Sequence, residues 1–405
     1  MSNTIQNQLR RTVADLHGDG RGWSIVAVAV GWFLVVGTML TVPAVLPNIK
    51  AEFALSNTGA GIAVTVMWLV YGVCQFPAGL LTDKVGERWM LVASMALGGL
   101  TAASFAVSPS FLAFVVSGGL FGIVGGLFAT PRVTLLSREF PESSGTAIGL
   151  VMAMGNIGAA LLPAAVGMIA AAIGWRFGFG MAIPIFAVAF LALWIAIPGG
   201  TTGADEDRQS VRELLPRVLV QLRTREILLV TAGVTLTFFT FQGMTAFLTT
   251  YLISVKGIAG STAALLYGGL FAVAAVMQPI AGRLSDETNE RVVLIAITGV
   301  YVLLLVALVL SGRFVFLAAA VVLLGTQRGA TPVATAYLAA ALPEEIRGGG
   351  YGLLRTVFTG VSSMGAVVVG LFADAELFDA AFLLLAVLAA LATGCYVLLP
   401  APSNA

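Results

Sequence analysis

Apolar stretches long enough to cross a membrane alternate along this chain with short polar segments. Charges, prolines or glycines separate twelve such stretches. Each approaches or exceeds the roughly 20 residues that an α-helix needs to span a bilayer core of about 30 Å. The predicted helices cover 23–49, 58–81, 88–107, 110–137, 144–173, 177–197, 226–254, 261–284, 291–310, 314–342, 348–373 and 378–399. The pattern predicts an all-α membrane protein with twelve transmembrane helices.

Composition agrees with this prediction and excludes several kinds of chemistry. The 405 residues are 59% hydrophobic and 10% charged, which is too few charges for the surface of a soluble protein of this size. Cys74 and Cys395 lie inside apolar stretches, and His17, the single histidine, precedes the first helix. We therefore expect no enzyme activity, no metal or other cofactor and no disulfide framework. A net charge of +1 gives no indication of nucleic-acid binding.

One long polar segment divides the chain. We expect an N-terminal tail at 1–22, a first six-helix bundle at 23–197, a linker at 198–225, a second bundle at 226–399 and a C-terminal end at 400–405. The basic, helically spaced second part of the linker is compatible with an interfacial helix. The first apolar stretch is too long for a signal peptide, so we interpret it as a retained helix.

Basic residues predict the orientation. Fourteen of the 21 Lys and Arg fall in segments on the same side as the N-terminus, and four fall in loops on the other side. Cytoplasmic loops carry the excess of Lys and Arg. We therefore expect a monomeric, multi-pass protein of the plasma membrane with both termini cytoplasmic and the lipid bilayer as its surroundings.

The two halves of the chain repeat each other. Four residues recur exactly 203 positions later: Gln75, Gly79, Asp83 and Arg88 reappear as Gln278, Gly282, Asp286 and Arg291. The tripeptide ATP at 129–131 recurs at 330–332. A series of matches at nearly constant offset indicates a duplicated six-helix unit, and parallel six-helix halves are a transporter architecture with a binding site near the midplane.

The segment GLLTDKVGER (79–88) lies where predicted helix 2 ends. It resembles the loop 2–3 signature of the major facilitator superfamily (MFS), whose places are filled here by Gly79, Leu81, Asp83, Lys84, Gly86 and Arg88. The resemblance implies two pseudo-symmetric six-helix bundles that alternate between inward-open and outward-open states. Asp83 lies at a helix C-terminus, where the helix dipole disfavours a carboxylate. We expect it to contact Lys84, Arg88 or, as the family implies for the outward-facing state, the beginning of helix 11.

Other family signatures are incomplete. Proton-coupled drug exporters carry an arginine in helix 4 and a Gly-Pro pair in helix 5, and this chain has neither at the corresponding places. The stretch MGNIG (154–158) is similar to a helix-5 signature of nitrate/nitrite porters. Those porters, however, have an arginine in helix 2 where this chain has Gln75.

The charges inside the predicted helices are all positive. The 20 Asp and Glu residues fall in termini, loops or helix ends, whereas Arg132, Arg328 and Arg355 lie within spans. A charge at the centre of a membrane helix costs about 2.5–3.5 kcal/mol on insertion scales and marks a functional site by default. The missing counter-ion is most simply an anionic substrate.

Arg328 is the principal candidate for the charge that binds this anion. At helical spacing it is accompanied by Gly325, Thr331 and Thr335, a small and polar stripe that we expect to line an aqueous cavity. A charge held between packed helices by backbone carbonyls is the alternative. Arg355 is a second candidate, for anion binding or for gating, and Arg132 is expected to pair with Glu139 or Asp83.

Neutral side chains complete the predicted pocket. They share polar or aromatic character and positions on inward faces, and they are Tyr71, Gln75, Asn156, Gln242, Gln278 and Thr331. For each of them, hydrogen bonding between helices is an equally good explanation.

These observations predict secondary active or facilitative transport of a small anion, best described as an organic carboxylate, by alternating access. Efflux of amphipathic compounds is the alternative, and a non-transporting receptor on the same fold is a third interpretation. Coupling by exchange, facilitated diffusion or co-transport of a substrate-borne proton stays open.

Overall fold

The computed structural model describes residues 22–141, 143–197, 220, 224–343 and 347–399, with the backbone alone at 83, 339 and 347–349. Three predicted segments lie outside the described residues. They are the tail at 1–22 apart from its last residue, most of the linker at 198–225 with its interfacial helix, and the end at 400–405.

Twelve helices in the described part of the chain are long and apolar enough to cross a membrane. The first six are α1 Gly22–Ala44, α2 Asn57–Val85, α3 Glu87–Ala106, α4 Phe111–Glu139, α5 Ser144–Ala172 and α6 Trp175–Ala196. The next three are α7 Arg225–Ser254, α8 Gly260–Glu287 and α9 Glu290–Leu310. The last three are α10, within Phe314–Ala341, α11, within Arg347–Asp374, and α12 Phe378–Val397. The described residues contain no β-strand, and the predicted all-α membrane class is confirmed.

Three of the predicted helices are interrupted. The first ends at Ala44, and a short helix Leu46–Phe53 follows, with Pro47 in its first turn. Proline suits a helix start because it lacks the N–H that would otherwise be unsatisfied there. α10 consists of Phe314–Leu323, a 3₁₀ segment Leu324–Gly329 and Ala330–Ala341, and α11 is divided into Arg347–Ser363 and Gly365–Asp374.

The two halves pack in the same way. α1 lies along α5, α2 along α4 and α3 along α6; the equivalent pairs are α7 with α11, α8 with α10 and α9 with α12. One contact shows the duplication at atomic level. A Cβ added at Gly122 would approach the Met67 carbonyl oxygen closer than 3.0 Å, and one added at Gly325 would do the same to the Leu270 carbonyl oxygen. Gly325 lies 203 residues after Gly122, and Leu270 lies 203 residues after Met67.

The halves meet along two helix pairs, α2 with α11 and α5 with α8. We call the side at which α1 begins and α12 ends the termini face, and the opposite side the far face. Near the far face the pairs are in direct contact, at Gly370 against the Asn57 backbone and at Gly167 against Ala264. α7 is joined to α1 there by the Thr249 hydroxyl, which donates to the Pro43 carbonyl at 2.8 Å.

The halves separate towards the termini face. Four glycines test this on the same helices: Gly79 on α2, Gly149 on α5, Gly282 on α8 and Gly352 on α11. None of their Cβ positions has an atom of the other half within 4 Å; only Thr130 of its own half is close to Gly79. Among the described residues, the bundle is therefore closed at the far face and open at these positions of the termini face.

Candidate functional site

Arg328 lies in the 3₁₀ segment that interrupts α10. The side chain is half-buried, and its guanidinium carbon is 5.1 Å from the ring centroid of Phe241 on α7. Among the described residues, no carboxylate pairs with Arg328 and no group accepts a hydrogen bond from it. A ring face attracts a cation by only about 0.5–2 kcal/mol. The arginine therefore keeps most of its hydrogen-bonding capacity for something that is not part of the described chain.

The prediction that Gly325 lines an aqueous cavity beside Arg328 is wrong. This glycine faces α8 and packs against the Leu270 backbone, and Gly329 packs against the Met277 carbonyl one turn on. A 3₁₀ helix turns about 120° per residue and an α-helix about 100°, so six residues of 3₁₀ helix displace a continuous α-helical face by about 120°. A helical wheel drawn through the segment therefore misassigns the residues on either side of it.

Repeat-related positions around Arg328 exchange large and small residues. The equivalent of Arg328 in α4 is Gly125, and the ring of Tyr71 packs against it, 2.7 Å from where a Cβ would lie. The α8 equivalent of Tyr71 is Ala274, which is fully buried. In the first half the bulky Tyr71 on α2 thus faces Gly125 on α4. In the second half the small Ala274 on α8 leaves room near α10, the helix that carries Arg328.

Tyr71 lies near arginines of both halves. Arg328 and Arg132 are each within electrostatic range of Tyr71, and Arg132 is within that range of Arg355. Arg355 is half-buried on α11, and no hydrogen-bond acceptor for it is found among the described residues. Tyr71 and Arg328, two of the predicted site residues, therefore lie near each other, and Arg355, a third, is related to them only through Arg132.

Arg132 is held differently from the expectation. It is 4% exposed, its guanidinium carbon lies 3.5 Å from the ring centroid of Trp32, and it donates to the Ala129 carbonyl at 2.8 Å. Its predicted partner Glu139 instead accepts a 2.6 Å hydrogen bond from Ser24. Pairing with Glu139 is therefore wrong. A ring face and a carbonyl accommodate this arginine within its own half.

The predicted amide residues take two different roles. Asn156 and Gln278 bond each other across the halves, at 3.2 and 3.3 Å. Gln75 on α2 is 7% exposed, and its side-chain Nε2 is buried without a partner. Its backbone carbonyl accepts a hydrogen bond from the Thr130 hydroxyl at 3.2 Å. A buried N–H left unpaired is costly unless something else accepts from it.

Two further predicted residues, Gln242 and Thr331, are half-buried on α7 and α10. Gln242 adjoins Phe241 in the chain, and the Thr331 carbonyl accepts from Thr335 at 2.8 Å. Their side chains are not held by any described hydrogen bond.

Acidic residues occupy the ends of the described helices. Glu87, Glu226, Glu290 and Asp379 lie in first turns, and Asp374 is the last residue of α11. No three metal-ligating side chains among the described residues are grouped closely enough to hold an ion. Away from the helix ends, the charged residues described within the spans are thus arginines, whose charge is complementary to that of an anion.

The segment between α2 and α3 forms a tight connection. Gly86 joins the helices with φ of 90°, a conformation that favours glycine. A Cβ added at Gly79 would lie 3.5 Å from the Thr130 methyl group of α4. Lys84 is exposed. Asp83 lies in the last turn of α2, and its side chain is outside the described part of the structure.

Arg88, a proposed partner of Asp83, is engaged elsewhere. It donates to the Trp194 carbonyl at 2.8 Å and its guanidinium carbon lies 4.9 Å from the Trp194 ring centroid. Its repeat equivalent Arg291 donates to the Tyr396 carbonyl at 3.2 Å. A cation is favourable at a helix C-terminus. The repeated arginine therefore ties the sixth helix of each half to the third.

Sequence reasoning missed the aromatic partners of the arginines, Phe241 and Trp32. A cation–π pair has no fixed spacing when its members lie on different helices, so the sequence carried no direct signal for either contact. The position of Phe241 beside Gln242 on a predicted cavity helix was the single indirect indication.

Comparison with known proteins extends these observations. A model of the Major Facilitator Superfamily matches residues 27–325 and 256–405. The chain is 24% identical over 277 residues to the nitrite extrusion protein of Bacillus subtilis (strain 168), which covers 68% of this chain and 67% of the relative. It is 23% identical over 406 residues to the multidrug resistance protein Stp of Mycobacterium tuberculosis (strain CDC 1551 / Oshkosh), covering 86% and 75%.

The fold is shared with solved transporters. A bacterial homolog of the human lysosomal transporter Spinster, in an inward-facing and unoccupied conformation, superimposes with a TM-score of 0.79 at 14% identity, over 95% of this chain and 100% of that one. With twelve apolar helices, two equivalent halves and a family match over most of its length, the chain belongs to the Major Facilitator Superfamily and is a multi-pass membrane transporter.

Proposed function

We propose that this transporter carries a small anion with a planar O–X–O group, foremost an organic carboxylate, and that Arg328 is the principal charge partner of that group. The single observation that carries the proposal is the environment of Arg328. Its guanidinium lies inside a membrane helix, half-buried, against a ring face and without an anionic partner in the described chain.

The chemistry of guanidinium supports this class of substrate. Its planar fork of N–H donors matches a carboxylate with two parallel hydrogen bonds, which a lysine ammonium cannot do. Nitrite and nitrate present the same planar pair of oxygens. Arg355 lies within electrostatic range of Arg132, which in turn lies near Tyr71, and Gln75 carries an unpaired Nε2 one helical turn after Tyr71 on α2. A cation would meet only repulsion there.

The absence of a mid-span acid among the described residues bears on energy coupling. Proton-driven transporters use intramembrane carboxylates or histidines as relays. The proposed cycle is therefore exchange, facilitated diffusion or co-transport of a proton carried by the substrate. With the termini cytoplasmic, as the basic residues predict, the opening at the termini face leads from the central site to the cytoplasm of a plasma-membrane protein.

The relatives support two candidates. The nitrite extrusion protein is named for an anion, in agreement with the arginine environment. The multidrug resistance protein Stp covers more of the chain and favours efflux of amphipathic compounds as the second candidate. The two differ in what Arg328 should do, because an uncharged or cationic drug has no use for its charge.

The decisive experiment measures binding and uptake by purified protein in liposomes. The panel contains acetate, a longer monocarboxylate, nitrite, nitrate and a lipophilic cation. We expect at least one planar anion to be bound and transported by the wild type. Arg328→Ala should abolish this, and Arg328→Lys should retain partial transport with weaker binding. The alanine variant should fold, because it loses only a ring contact worth about 0.5–2 kcal/mol.

Arg313 provides the matched control. It is an exposed arginine immediately before α10, so Arg313→Ala removes the same charge from the same helix outside the cavity. Unchanged anion transport by Arg328→Ala, or equal losses in the two variants, contradicts the proposal. Transport of the cation alone by the wild type favours the efflux alternative.

A further inference from the structure

The far-face end of α2 is capped by a residue from the other half of the protein. The Asn57 N–H donates to Oδ1 of Asp374 at 2.6 Å, and the Thr58 N–H donates to Oδ2 at 2.9 Å. Ser56 accepts from the Gly59 N–H at 3.0 Å, as an ordinary N-cap does. The first turn of α2 contains no acid of its own. The anionic part of the cap is thus supplied by α11.

Both helices make this contact favourable. A carboxylate is stabilised at a helix N-terminus and disfavoured at a C-terminus. Asp374 is the last residue of α11, so its own helix repels the charge and the first turn of α2 attracts it. Gly370, one turn earlier, permits the approach, since a Cβ there would lie 2.7 Å from the Asn57 carbonyl oxygen.

Lys50 completes the cluster from the short helix after α1. Its ammonium donates to the Asn57 side-chain oxygen. Burial lowers the pKa of Lys50, and the nearby charge of Asp374 opposes that shift. A cation of the first half and a carboxylate of the second therefore attract each other across the same boundary.

The pair of helices related by the repeat lacks this arrangement. The residue of α5 equivalent to Asp374 is Ala171, and the first turn of α8 has neither a side-chain cap nor an acid. There the contact between the halves is apolar, Gly167 against Ala264. Of the two pseudo-symmetric pairs, α2–α11 therefore carries the charged contact at the far face that the described residues show, and α5–α8 carries none.

We propose that Asp374 is the far-face gate residue of this transporter: its carboxylate caps α2 and holds the halves together while the cavity is open at the termini face. α2 and α11 are antiparallel, so each helix ends beside the beginning of the other. Asp374 and Asp83 then stand at opposite ends of one helix pair. Opening at the far face separates the Asp374 carboxylate from the first turn of α2. This inference holds whatever the substrate is.

The test measures the far-face distance directly. Spin labels are placed at Val107, the exposed end of α3, and at Gly312, where a side chain meets no neighbour, in a chain whose two cysteines are replaced by alanine. Asp374→Asn keeps the size of the side chain and removes the charge. We expect the ratio of far-face-open to far-face-closed molecules to rise about tenfold, equivalent to about 1.4 kcal/mol.

A second pair of variants tests the donor side of the contact. Asn57→Pro deletes one of the two N–H groups at a position where proline suits a helix start, and the extended backbone of Ser56 (φ −66°, ψ 162°) is compatible with a following proline. It should shift the ratio in the same direction. Asn57→Ala keeps the N–H, loses only the Lys50 contact and should give a smaller shift.

Glu376→Gln is the control for charge alone, because it removes a carboxylate two residues from Asp374 on the exposed surface. It should leave the distances unchanged. Wild-type distances in both Asp374→Asn and Asn57→Pro overturn the proposal, and so does an equal shift in Glu376→Gln. If Asp374→Asn does not fold, the comparison of Asn57→Pro with Asn57→Ala decides.

Discussion

Asn156 on α5 and Gln278 on α8 form a reciprocal pair of amides across the boundary between the halves. The Nδ2 of Asn156 donates to Oε1 of Gln278 at 3.2 Å, and Nε2 of Gln278 donates to Oδ1 of Asn156 at 3.3 Å. Each side chain thereby satisfies the other at the contact between the halves. Both were predicted to contact substrate, and the pair gives them a partner that is always present in this state.

The amide pair makes a prediction about stability. Gln278→Leu should lower the free energy of unfolding by about 1–2 kcal/mol, because Asn156 is left with an unpaired amide. The double variant Asn156→Leu/Gln278→Leu should be less destabilised than the sum of the single variants. Thermal unfolding in detergent, analysed as a double-mutant cycle, measures this coupling. Strictly additive losses would show that the two amides do not depend on each other.

Gly325 is expected to be indispensable for the packing of α10 on α8. Gly325→Ala should cost about 1–3 kcal/mol, because the added methyl group meets the Leu270 backbone and not a movable side chain. Gly282→Ala on α8 is the matched control, since nothing lies within 4 Å of its Cβ position. That control should be neutral or stabilising. Melting temperatures of the two variants in one detergent provide the comparison, and equal values would contradict the assigned contact.

Trp32 should be required to keep Arg132 buried. Trp32→Leu removes the ring face 3.5 Å from the guanidinium carbon and should cost about 2 kcal/mol or more, whereas Trp32→Phe should cost less. The control is Trp23→Leu, which changes an exposed tryptophan at the start of the same helix. Adding Arg132→Met to Trp32→Leu should recover part of the loss, because the unpaired charge is gone. No recovery in that double variant would indicate that Trp32 acts through packing alone.

Asp83 is expected to act on conformational balance and not on affinity. Asp83→Asn should slow transport while substrate binding changes less than about tenfold, or about 1.4 kcal/mol. The measurement pairs initial uptake rates in liposomes with equilibrium binding in detergent. Lys84→Gln, a change of the neighbouring exposed charge, serves as the comparison. Wild-type turnover in Asp83→Asn would remove the role assigned to this carboxylate.

The sequence predicted the fold well because its two strongest signals are regular. Helix-length apolar stretches and a repeat offset of 203 residues identified twelve spans in two equivalent halves. The same offset also carried information on the packing of α10. Gly325 is the equivalent of Gly122, which lies in the glycine-rich stretch SGGLFGIVGG (117–126), so the repeat indicated a packing role that the helical wheel concealed.

The contacts of the site were harder to predict. Arg328 was identified because a charge within an apolar stretch is conspicuous, but the 3₁₀ segment around it leaves no mark in the hydropathy pattern. The ring contacts of Arg132 and Arg328 join residues on different helices, so sequence spacing does not encode them. Asp374 could have been found: the dipole argument applied to Asp83 holds equally for an acid that ends helix 11.

The unpaired guanidinium of Arg328 also has an electrical consequence. One elementary charge moved across a membrane at 100 mV exchanges about 2.3 kcal/mol with the field. In the proposed cycle the water-filled side of the cavity alternates, and the portion of the membrane voltage felt at Arg328 would alternate with it. The empty transporter would then respond to voltage, and an anion bound at Arg328 would cancel both the charge and the response. The membrane potential would therefore act on the unloaded step of the proposed cycle and bias the direction of net flux without any coupling ion.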